Sequence, residues 1–449
     1  MAIGSPVSNA NLEFWWDMDS RKSFKGRPTT NFAYHRNSIH QPKDNLTFHN
    51  YNNDSTWNSN HPGRVVVNNA TGGTLSSNVN TGVNSGNWQV THHGYWKWDF
   101  QRRKACFFMN DVDGHWKANS FGLGQSFNNY SLSAGDEFSL SWDQWTSRTD
   151  KNARAGVYMK NSSGSNGFHA GQANGTAAFN TIPYKWQRVY HVFTVPSNMN
   201  MTSSLSIYCY GHYTGRGVVK MDNFQFEKGK PSYFVQDSKG DPASSRSSTE
   251  GLVDLSGNNT ITINDFNYLN DGSFNFTGSS HYASVSGSLA TDCDGNVTMM
   301  GWFKQLSRNG PHQTIVCTNT GYRQGMKLMS AYHAQGGAFW VANADGTDST
   351  LLNTGGTTLE NTGIHHIAAT RNSSSGALKI YLDGVLVNTA TGSTGDVSNN
   401  STTNARIALD YHSGGYGANS TIYDTRVYSR ELSANEILTI YNSTKSKYL

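Results

Sequence analysis

Residues 11–30 read NLEFWWDMDSRKSFKGRPTT, and residues 250–278 read EGLVDLSGNNTITINDFNYLNDGSFNFTG. The first stretch contains an apolar, aromatic run, Leu12–Asp19, which predicts a β-strand. In the second, the turn pair Asp271-Gly272 leads into a short alternating strand, Gly272–Thr277. The fold depends on whether Leu12–Asp19 belongs with the residues that follow it or with the C-terminal half of the chain.

The composition of the 449 residues predicts β-structure. Charged residues make up 15% of the chain, against roughly 25% in an average globular domain. Aromatic residues reach 12%, and each can bury a large apolar area, which argues against disorder. The length allows two or three domains, built from Thr/Val-rich strands joined by Asn/Gly/Ser turns.

Charge and hydropathy exclude several kinds of partner. The net charge of +4 is spread without long basic runs, the densest cluster being Arg102–Lys104, so no nucleic-acid partner is predicted. No apolar stretch approaches the length of a membrane span, so no membrane insertion is predicted. The N-terminus does not resemble a signal peptide. Four cysteines without CxxC spacing are interpreted as buried free thiols, which suits synthesis in a reducing cytoplasm: Cys106, Cys209, Cys293 and Cys317.

The C-terminal half has the clearest strand pattern. The hairpin IYLDGVLV turns at Asp383-Gly384, and Ser433 to Glu436 forms a capping box that predicts one short helix. Even spacing with Asx-Gly turns predicts a sandwich or barrel. The predicted strands are Gly272–Thr277, Tyr282–Val285, Val297–Lys304, Thr314–Thr318, Met326–Ser330, Ala338–Ala342, Ile364–Arg371, Ala377–Leu382, Val385–Thr389, Ala405–Leu409 and Ser420–Tyr428.

Several segments of this half, in order, resemble the laminin-G/concanavalin-A-like superfamily: GLVDLSGN, VTMMGWFK, ALKIYLDGVLVNT and IYDTRVYSRELSANEILTIYN. In that family a GLVDLSGN-like segment follows directly on the first strand, which here appears instead as LEFWWDMDSRKSFKG at residues 12–26. The resemblance therefore implies a discontinuous sandwich. Its first strand lies in residues 1–30, residues 31–236 are inserted, residues 237–250 form a linker, and residues 251–449 complete the sandwich.

The insertion resembles a carbohydrate-binding-module-type jelly roll. The segments that carry the resemblance are WQRVYHVFTVPSNMN, SLSIYCYG and GVVKMDNFQFEKGKPSYFV. The NFQFEKGKPSYFV part of the last segment also resembles sequences of phage structural proteins. The resulting expectation is an all-β fold with two β-sandwich (jelly-roll) domains, the second discontinuous, and one short C-terminal helix.

An aromatic cluster in the insertion is a candidate sugar platform. Trp88, Tyr95, Trp96 and Trp98 are interleaved with polar residues, and Trp96 and Trp98 would share one strand face. A flat aromatic surface stacks on sugar C–H groups, and polar neighbours bind hydroxyls; the alternative is that these rings fill the core of the insertion. The same two interpretations apply to Trp142, Trp145 and Trp186.

A second candidate is the loop near the end of the outer sandwich. It contains Tyr411, His412, Tyr416 and Asn419. In concanavalin-A-like domains ligand sites lie on loops or on the concave sheet. The loop could contact sugar, contact a neighbouring subunit, or be a plain connection, and the sequence leaves all three open.

A structural calcium ion is the one cofactor that the resemblance implies. Jelly-roll carbohydrate modules bind Ca²⁺ through an Asp on the closing strand, which here is Asp222; a strand without metal is the alternative. The segment 292–296 (DCDGN) lacks the downstream Glu of an EF-hand and is interpreted as a turn. The adjacent pairs His92-His93 and His365-His366 point to opposite strand faces, so neither predicts a zinc site.

Catalysis finds little support in the sequence. No GxSxG, HExxH or P-loop motif occurs, and neither does the ExDxxE-like carboxylate pattern of concanavalin-A-type glucanases. Asp17 and Asp19 share one strand face, but at the end of the first strand. The chain is therefore predicted not to be an enzyme.

The expected function is that of a bacteriophage virion protein exposed on the particle, as a tail fibre, tail-associated adhesin or capsid decoration. It would be made in the host cytoplasm and displayed on the virion surface as a homo-oligomer or multi-copy array. Its partners would be other virion proteins and host surface glycan, bound weakly and with avidity. The alternatives are a secreted carbohydrate-binding adhesin, an accessory module of a polysaccharide-degrading enzyme and a purely architectural subunit.

Overall fold

The structure of the protein is a computed structural model. It describes residues 7–32, 79–80, 87–88, 94–99, 104–111, 118–126, 133–147, 154–159, 168–170, 182–197, 204–210, 217–236, 243–264, 267–268, 274–287, 289, 293–308, 310–318, 325–356, 358–397, 405–410 and 417–449. The chain divides into two compact units. Unit 1 comprises Met1–Pro28 with Ser247–Leu449, and unit 2 comprises Thr29–Arg246.

Strands account for nearly all the regular structure in the described residues, and the expected all-β fold with a short C-terminal helix is confirmed. The helix is α1 (Ala434–Tyr448). The strands are β1 (Leu12–Asp17), β2 (Thr29–Thr30), β3 (Val79–Asn80), β4 (Asn87–Trp88), β5 (Gly94–Asp99), β6 (Lys104–Asp111), β7 (Ala118–Ser126), β8 (Glu137–Thr146), β9 (Arg154–Met159), β10 (Phe168–Ala170), β11 (Gln187–Thr194), β12 (Ser204–Tyr210), β13 (Gly217–Lys228), β14 (Ser245–Arg246), β15 (Asn259–Ile263), β16 (Asn267–Tyr268), β17 (Phe274–Thr277), β18 (Ala283–Gly287), β19 (Val297–Gln305), β20 (His312–Cys317), β21 (Gly325–Tyr332), β22 (Ala338–Ala342), β23 (Ser349–Asn353), β24 (Ile364–Arg371), β25 (Ala377–Leu382), β26 (Val385–Thr391), β27 (Ala405–Ile407) and β28 (Asn419–Tyr428).

Unit 1 is built from two antiparallel sheets. The eight-stranded sheet has the order β16-β17-β28-β19-β24-β25-β26, with β1 also paired to β28. The seven-stranded sheet has the order β15-β18-β27-β20-β21-β22-β23. The first half of β28 pairs with β17 and the second half with β1, so β1 lies within a sheet of the C-terminal half.

The apolar side chains of β1 belong to the core of unit 1. Phe14 and Trp16 are fully buried and belong to one cluster with residues of both sheets. The ring centroid of Trp16 lies 5.7 Å from that of Phe274 and 6.3 Å from that of Phe276. Strand β1 alternates between this core and the opposite face, as period-2 side-chain geometry requires.

Asp254, in the GLVDLSGN segment, fastens β1 to the second part of unit 1. The residue is 4% exposed. Its Oδ1 accepts hydrogen bonds from the backbone N–H of Trp15 at 2.9 Å and of Ser256 at 3.0 Å. Its Oδ2 accepts from the backbone N–H of Asn259 at 3.0 Å and the Nδ2 of Asn259 at 2.9 Å. One buried carboxylate thus joins two segments that are 239 residues apart in the chain.

The segments by which the chain leaves and re-enters unit 1 run side by side. Phe24 and Leu252 form an antiparallel bridge, and the backbone N–H of Lys25 donates to the carbonyl of Gly251 at 2.9 Å. A Cβ at Gly251 would lie 2.6 Å from the carbonyl oxygen of Gly26, so the backbones meet where only glycine fits. Within unit 2, β2 pairs with β14, so its two ends are also adjacent.

Helix α1 covers the face of the eight-stranded sheet that points away from the core. Its first turn is held by the predicted capping box between Ser433 and Glu436. Ile437 and Ile440 are buried and pack in a second apolar cluster with Met300 and other residues of the sheet. Among the described residues, no helix is long and apolar enough to cross a membrane.

Unit 2 contains a five-stranded sheet of order β11-β8-β13-β6-β5 and a four-stranded sheet of order β10-β9-β12-β7. Along β8, Phe138, Leu140 and Trp142 are fully buried, together with Phe226 of β13. Asp143 and Trp145 alternate with these residues and therefore lie on the opposite face of the sheet.

Candidate functional site

For the predicted aromatic platform of unit 2, the structure shows which strand carries each residue. Trp88 ends β4, and Tyr95, Trp96 and Trp98 lie on β5. Trp96 pairs with Phe107 of β6 in the strand register. The side chains of these four candidates lie outside the described part of the structure, so the platform stays a prediction.

The second candidate site is the predicted loop near the end of the outer sandwich. Its residues Tyr411, His412 and Tyr416 lie outside the described residues. The two ends of the loop meet where Leu409 forms a bridge with Gly417. Asn419 lies on β28, where its backbone N–H donates to the Oε1 of Gln313 at 2.7 Å. Asn419 therefore anchors one end of the loop within unit 1.

Asp222, the predicted calcium ligand, lies on β13 and is 5% exposed. It stands opposite Asp143 in the register of β8 and β13. Within the described residues no group of three or more His, Cys, Asp or Glu side chains is assembled to hold a metal ion. The calcium site stays a prediction.

Trp142, Trp145 and Trp186, the three further candidate tryptophans of unit 2, differ in burial. Trp142 is fully buried, and its Nε1 donates to the Oε1 of Gln144 at 3.0 Å, so it is a core residue. Trp145 is partly exposed on the opposite face, with the Nζ of Lys220 4.1 Å from its ring centroid. The exposed ring of Tyr184 packs edge-on against it at 5.7 Å. Trp186 is half-buried.

In unit 1, the seven-stranded sheet carries a polar row on the face that points away from the core. Arg406, Cys317, Lys327 and Trp340 stand opposite one another on the neighbouring strands β27, β20, β21 and β22. Their strand neighbours, such as Met326 on β21, point into the core. A lysine in the middle of an apolar strand is a costly choice unless its charge is paired.

The charge of Lys327 is paired with Asp410. Both residues are buried, and the Nζ of Lys327 lies 3.2 Å from the Oδ2 of Asp410. The Nδ1 of His312 lies 3.1 Å from the same oxygen. Burial, with a smaller contribution from Asp410, raises the pKa of the Cys317 thiol to about 12. Cys317 is therefore an uncharged, buried thiol beside His312, Asp410 and Lys327, which we call the triad.

Three aromatic rings lie above the triad, and we call Tyr332, His333 and Trp340 the aromatic shelf. The Tyr332 ring stacks on the His312 ring with 5.1 Å between centroids. The His333 ring packs edge-on against the Tyr332 ring with 4.4 Å between centroids. Trp340 lies 6.5 Å from Tyr332, and the Nζ of Lys327 is 5.8 Å from its ring centroid. Tyr332 and Trp340 are partly exposed and His333 is exposed.

The shelf is held in a defined position. His333 has a φ of 51° in the turn between β21 and β22, a conformation that a non-glycine residue adopts only when its surroundings impose it. The backbone N–H of His333 donates to the carbonyl of Pro311 at 2.5 Å. The turn that carries His333 is therefore fixed beside the charged triad.

A pair of facing carboxylates elsewhere in unit 1 has a structural role. Asp17 and Asp424 stand opposite each other on β1 and β28. Lys447 of α1 pairs with Asp17, and Arg426 pairs with Asp424 at 3.0 Å. Burial raises the pKa of Asp424. Because a cation neutralises each carboxylate beneath α1, the pair does not form the open acid/base arrangement of a glycosidase.

The sequence analysis did not identify the shelf. The signals that could have found it are Lys327 within the apolar strand GMKLMSAY and Trp340 within AFWVA. Each occupies the outward position of its strand, but placing them side by side requires the strand register. The predicted loop residues Tyr411, His412, Tyr416 and Asn419 belong neither to the shelf nor to the triad.

One protein-family model matches the chain, over residues 277–438. It is a laminin-G-type model described as the Concanavalin A-like lectin/glucanases superfamily. The matched range contains the shelf and the triad. No curated protein sequence matches the chain.

Several solved structures match parts of the chain at low similarity. The botulinum neurotoxin serotype C1 binding domain is 17% identical with a TM-score of 0.32, and the match covers 43% of this chain and 50% of that one. The match thus spans about half the length of the neurotoxin binding domains. The CBM40 of a Ruminococcus gnavus IT-sialidase, bound to α2,3-sialyllactose, is 16% identical with a TM-score of 0.31, and covers 38% of this chain and 96% of that one. Domain 4 of an extracellular arabinanase from Geobacillus stearothermophilus, in complex with arabinotriose, is 13% identical with a TM-score of 0.34, and covers 43% of this chain and 93% of that one.

Proposed function

We propose that this chain is a non-enzymatic glycan-binding protein and that unit 1 binds sugar at the aromatic shelf. The observation that carries the proposal is a pair of partly exposed rings next to a buried charged triad. Tyr332 stacks on His312 of the triad, and the Trp340 ring lies 5.8 Å from the Nζ of Lys327. The match of residues 277–438 to a lectin/glucanase-type family model supports the sugar-binding part of this proposal.

The chemistry of the shelf suits a carbohydrate. Aromatic ring faces stack on the C–H faces of a pyranose, while polar groups at the edge bind hydroxyls. Exposed polar groups adjoin the shelf, since Gln335 lies in the same turn and its Oε1 accepts from the Nδ2 of Asn353 at 2.6 Å. Rigid positioning lowers the entropy cost of binding, so a small site can be specific even if its affinity is modest.

We further propose that the protein is displayed on a bacteriophage particle, as a tail-associated adhesin, tail fibre or capsid decoration. The likeness of the segment NFQFEKGKPSYFV to phage structural proteins supports this role. A weak site repeated on many copies would bind host surface glycan through avidity. A secreted adhesin is the second candidate, favoured by the same shelf.

Glycan-array binding of the full chain tests the proposal, and Trp340→Ala is expected to lower affinity tenfold or more. Truncation of an aromatic side chain at the centre of a binding surface costs about 2 kcal/mol, and each 1.4 kcal/mol is about tenfold. Tyr190→Ala is the matched control, because Tyr190 is 55% exposed in unit 2 and its loss should leave shelf binding unchanged. Absence of binding to every glycan on the array, or full binding by Trp340→Ala, would contradict a shelf site.

The same array separates the two units. If the predicted platform of β5 also binds sugar, Trp96→Ala and Trp98→Ala will remove a class of glycan signals that Trp340→Ala leaves intact. Incubation of the protein with each bound polysaccharide should release no reducing sugar. Release of reducing ends would show that the chain is an enzyme.

A further inference from the structure

The amine of Lys327 and the carboxylate of Asp410 touch each other in a buried part of unit 1. The Lys327 side chain is 2% exposed and the Asp410 side chain is fully buried. A second ion pair of unit 1, Lys379 with Glu431, has a similar separation of 2.8 Å, but its side chains are 38% and 20% exposed. Two buried charges have lost their hydration at a large cost. A neutral bond between Lys327 and Asp410 would remove that cost.

The backbone fixes both of these side chains. Lys327 lies within β21, which is paired with β20 on one side and β22 on the other. Asp410 follows a bend at Ala408, which has a φ of 65°. The backbone N–H of Ala408 donates to the carbonyl of Ile315 at 3.0 Å, and its carbonyl accepts from the N–H of Ala418 at 2.8 Å. Reacting groups held in this way behave as if present at about 10⁵–10⁸ M.

His312 provides a group that can transfer protons at the same place. Its Nδ1 lies 3.1 Å from the Oδ2 of Asp410, which is also the oxygen that the Nζ of Lys327 contacts at 3.2 Å. An imidazole ring can both accept and donate a proton. The triad therefore combines an amine, a carboxyl group and a proton-transfer group around one oxygen atom.

We propose that Lys327 and Asp410 condense to an amide cross-link. The bond between Nζ of Lys327 and Cγ of Asp410 forms, and one C–O bond of the carboxylate breaks. The ammonium group loses two protons, which leave with that oxygen as water, so one cation and one anion become a neutral amide. His312 donates a proton to the leaving oxygen and is reprotonated from the amine. No oxidant or cofactor is needed, and the bond joins two residues 83 positions apart.

Mass spectrometry of the full chain tests for this bond. The unfolded wild-type protein is expected to be lighter by one water than its sequence requires. Trypsin should then leave the bond after Lys327 uncut and release residues 324–371 joined to residues 407–426. A cyclic imide at Asp410 would also remove one water, but it would leave Lys327 free and cleavable, so the peptide map distinguishes the two products.

Three variants separate the roles of the residues. Lys327→Arg keeps the positive charge but has no primary amine, so it should retain the full mass. Lys379→Arg is the matched control, because the exposed pair with Glu431 should form no amide, and this variant should lose one water like the wild type. His312→Phe keeps a ring beside Tyr332 but transfers no proton, so it should cross-link about a hundredfold more slowly or worse. Protection of β21 in hydrogen exchange verifies that each protein is folded.

Two results would overturn the cross-link: a folded wild-type chain with its full mass, or a loss of water that persists in Lys327→Arg. Cross-linking of His312→Phe at the wild-type rate would overturn the proton transfer assigned to His312. The sugar site is tested separately, since a full-mass wild-type chain can still bind glycan through Tyr332 and Trp340.

Discussion

Asp254→Ala is expected to destabilise unit 1 by about 3–5 kcal/mol, because it strips the hydrogen bonds that hold β1 in place. The substitution leaves the backbone N–H groups of Trp15, Ser256 and Asn259 without their acceptor. Each buried polar group left unsatisfied costs about 1–3 kcal/mol. Urea titration followed by hydrogen exchange mass spectrometry would measure the loss in peptides of β1 and β28 separately from those of unit 2.

Asp348→Ala provides the comparison for this experiment. Asp348 is an exposed carboxylate in the turn before β23, so its removal should change stability by no more than about 0.5 kcal/mol. If Asp254→Ala unfolds at the same urea concentration as Asp348→Ala, the Asp254 carboxylate does not fasten the two segments of unit 1.

His366→Leu is expected to remove a large part of the acid sensitivity of unit 1. His366 is 1% exposed, and its ring lies 5.2 Å from Trp302 and 6.0 Å from Tyr441 of α1. Its Nδ1 has no hydrogen-bond partner among the described residues. Burial, assisted by the nearby charge of Arg426, lowers the pKa of His366 to about 3.

The direction of the pH effect follows from this lowered pKa. Below about pH 6.5 the unfolded chain takes up a proton on His366, while the folded chain does not until about pH 3. Stability therefore falls with decreasing pH across this window, at up to about 1.4 kcal/mol per pH unit. Between pH 7 and pH 4.5 we expect the wild type to lose about 2–3 kcal/mol more than His366→Leu, as measured by urea titration at each pH.

A second histidine variant distinguishes this mechanism from general acid unfolding. His333 is exposed, so His333→Asn, which tolerates the positive φ at this position, should keep the pH profile of the wild type. Some carboxylates have a lowered pKa, such as Glu436 beside Arg430. Their protonation at low pH lowers the stability of the wild type, His366→Leu and His333→Asn by the same amount. Parallel profiles for wild type and His366→Leu would mean that the His366 ring is not the source of the acid sensitivity.

Much of the fold could be predicted because strand patterns and turns are local. The Asp383-Gly384 hairpin and the Ser433–Glu436 capping box each follow from a few neighbouring residues, and both are found in the structure. The split pattern assigned Leu12–Asp19 to the C-terminal sandwich, and β1 lies there beside β28. Strand β23 was not predicted, because STLLN lacks the alternation and aromatic content that mark the other strands.

The candidate site was harder to predict, since its residues come together only through long-range register. Cys317, Lys327 and Trp340 are adjacent because β20, β21 and β22 align in one register. Asp410 reaches Lys327 from 83 positions along the chain. Nothing within a local window signals that a lysine charge will be paired so far away. The sequence analysis instead selected clusters of aromatic residues close together in the chain, which is a local signal.

The paired ends at Phe24 and Leu252 also bear on how such a chain could arise and diversify. Since the chain leaves and returns at one point, a foreign domain whose own termini are neighbours can occupy the gap at the gene level without disturbing the sheets of the host. A different domain with adjacent ends can therefore replace unit 2 between Gly26 and Gly251 while the two sheets of unit 1 keep their strand pairing.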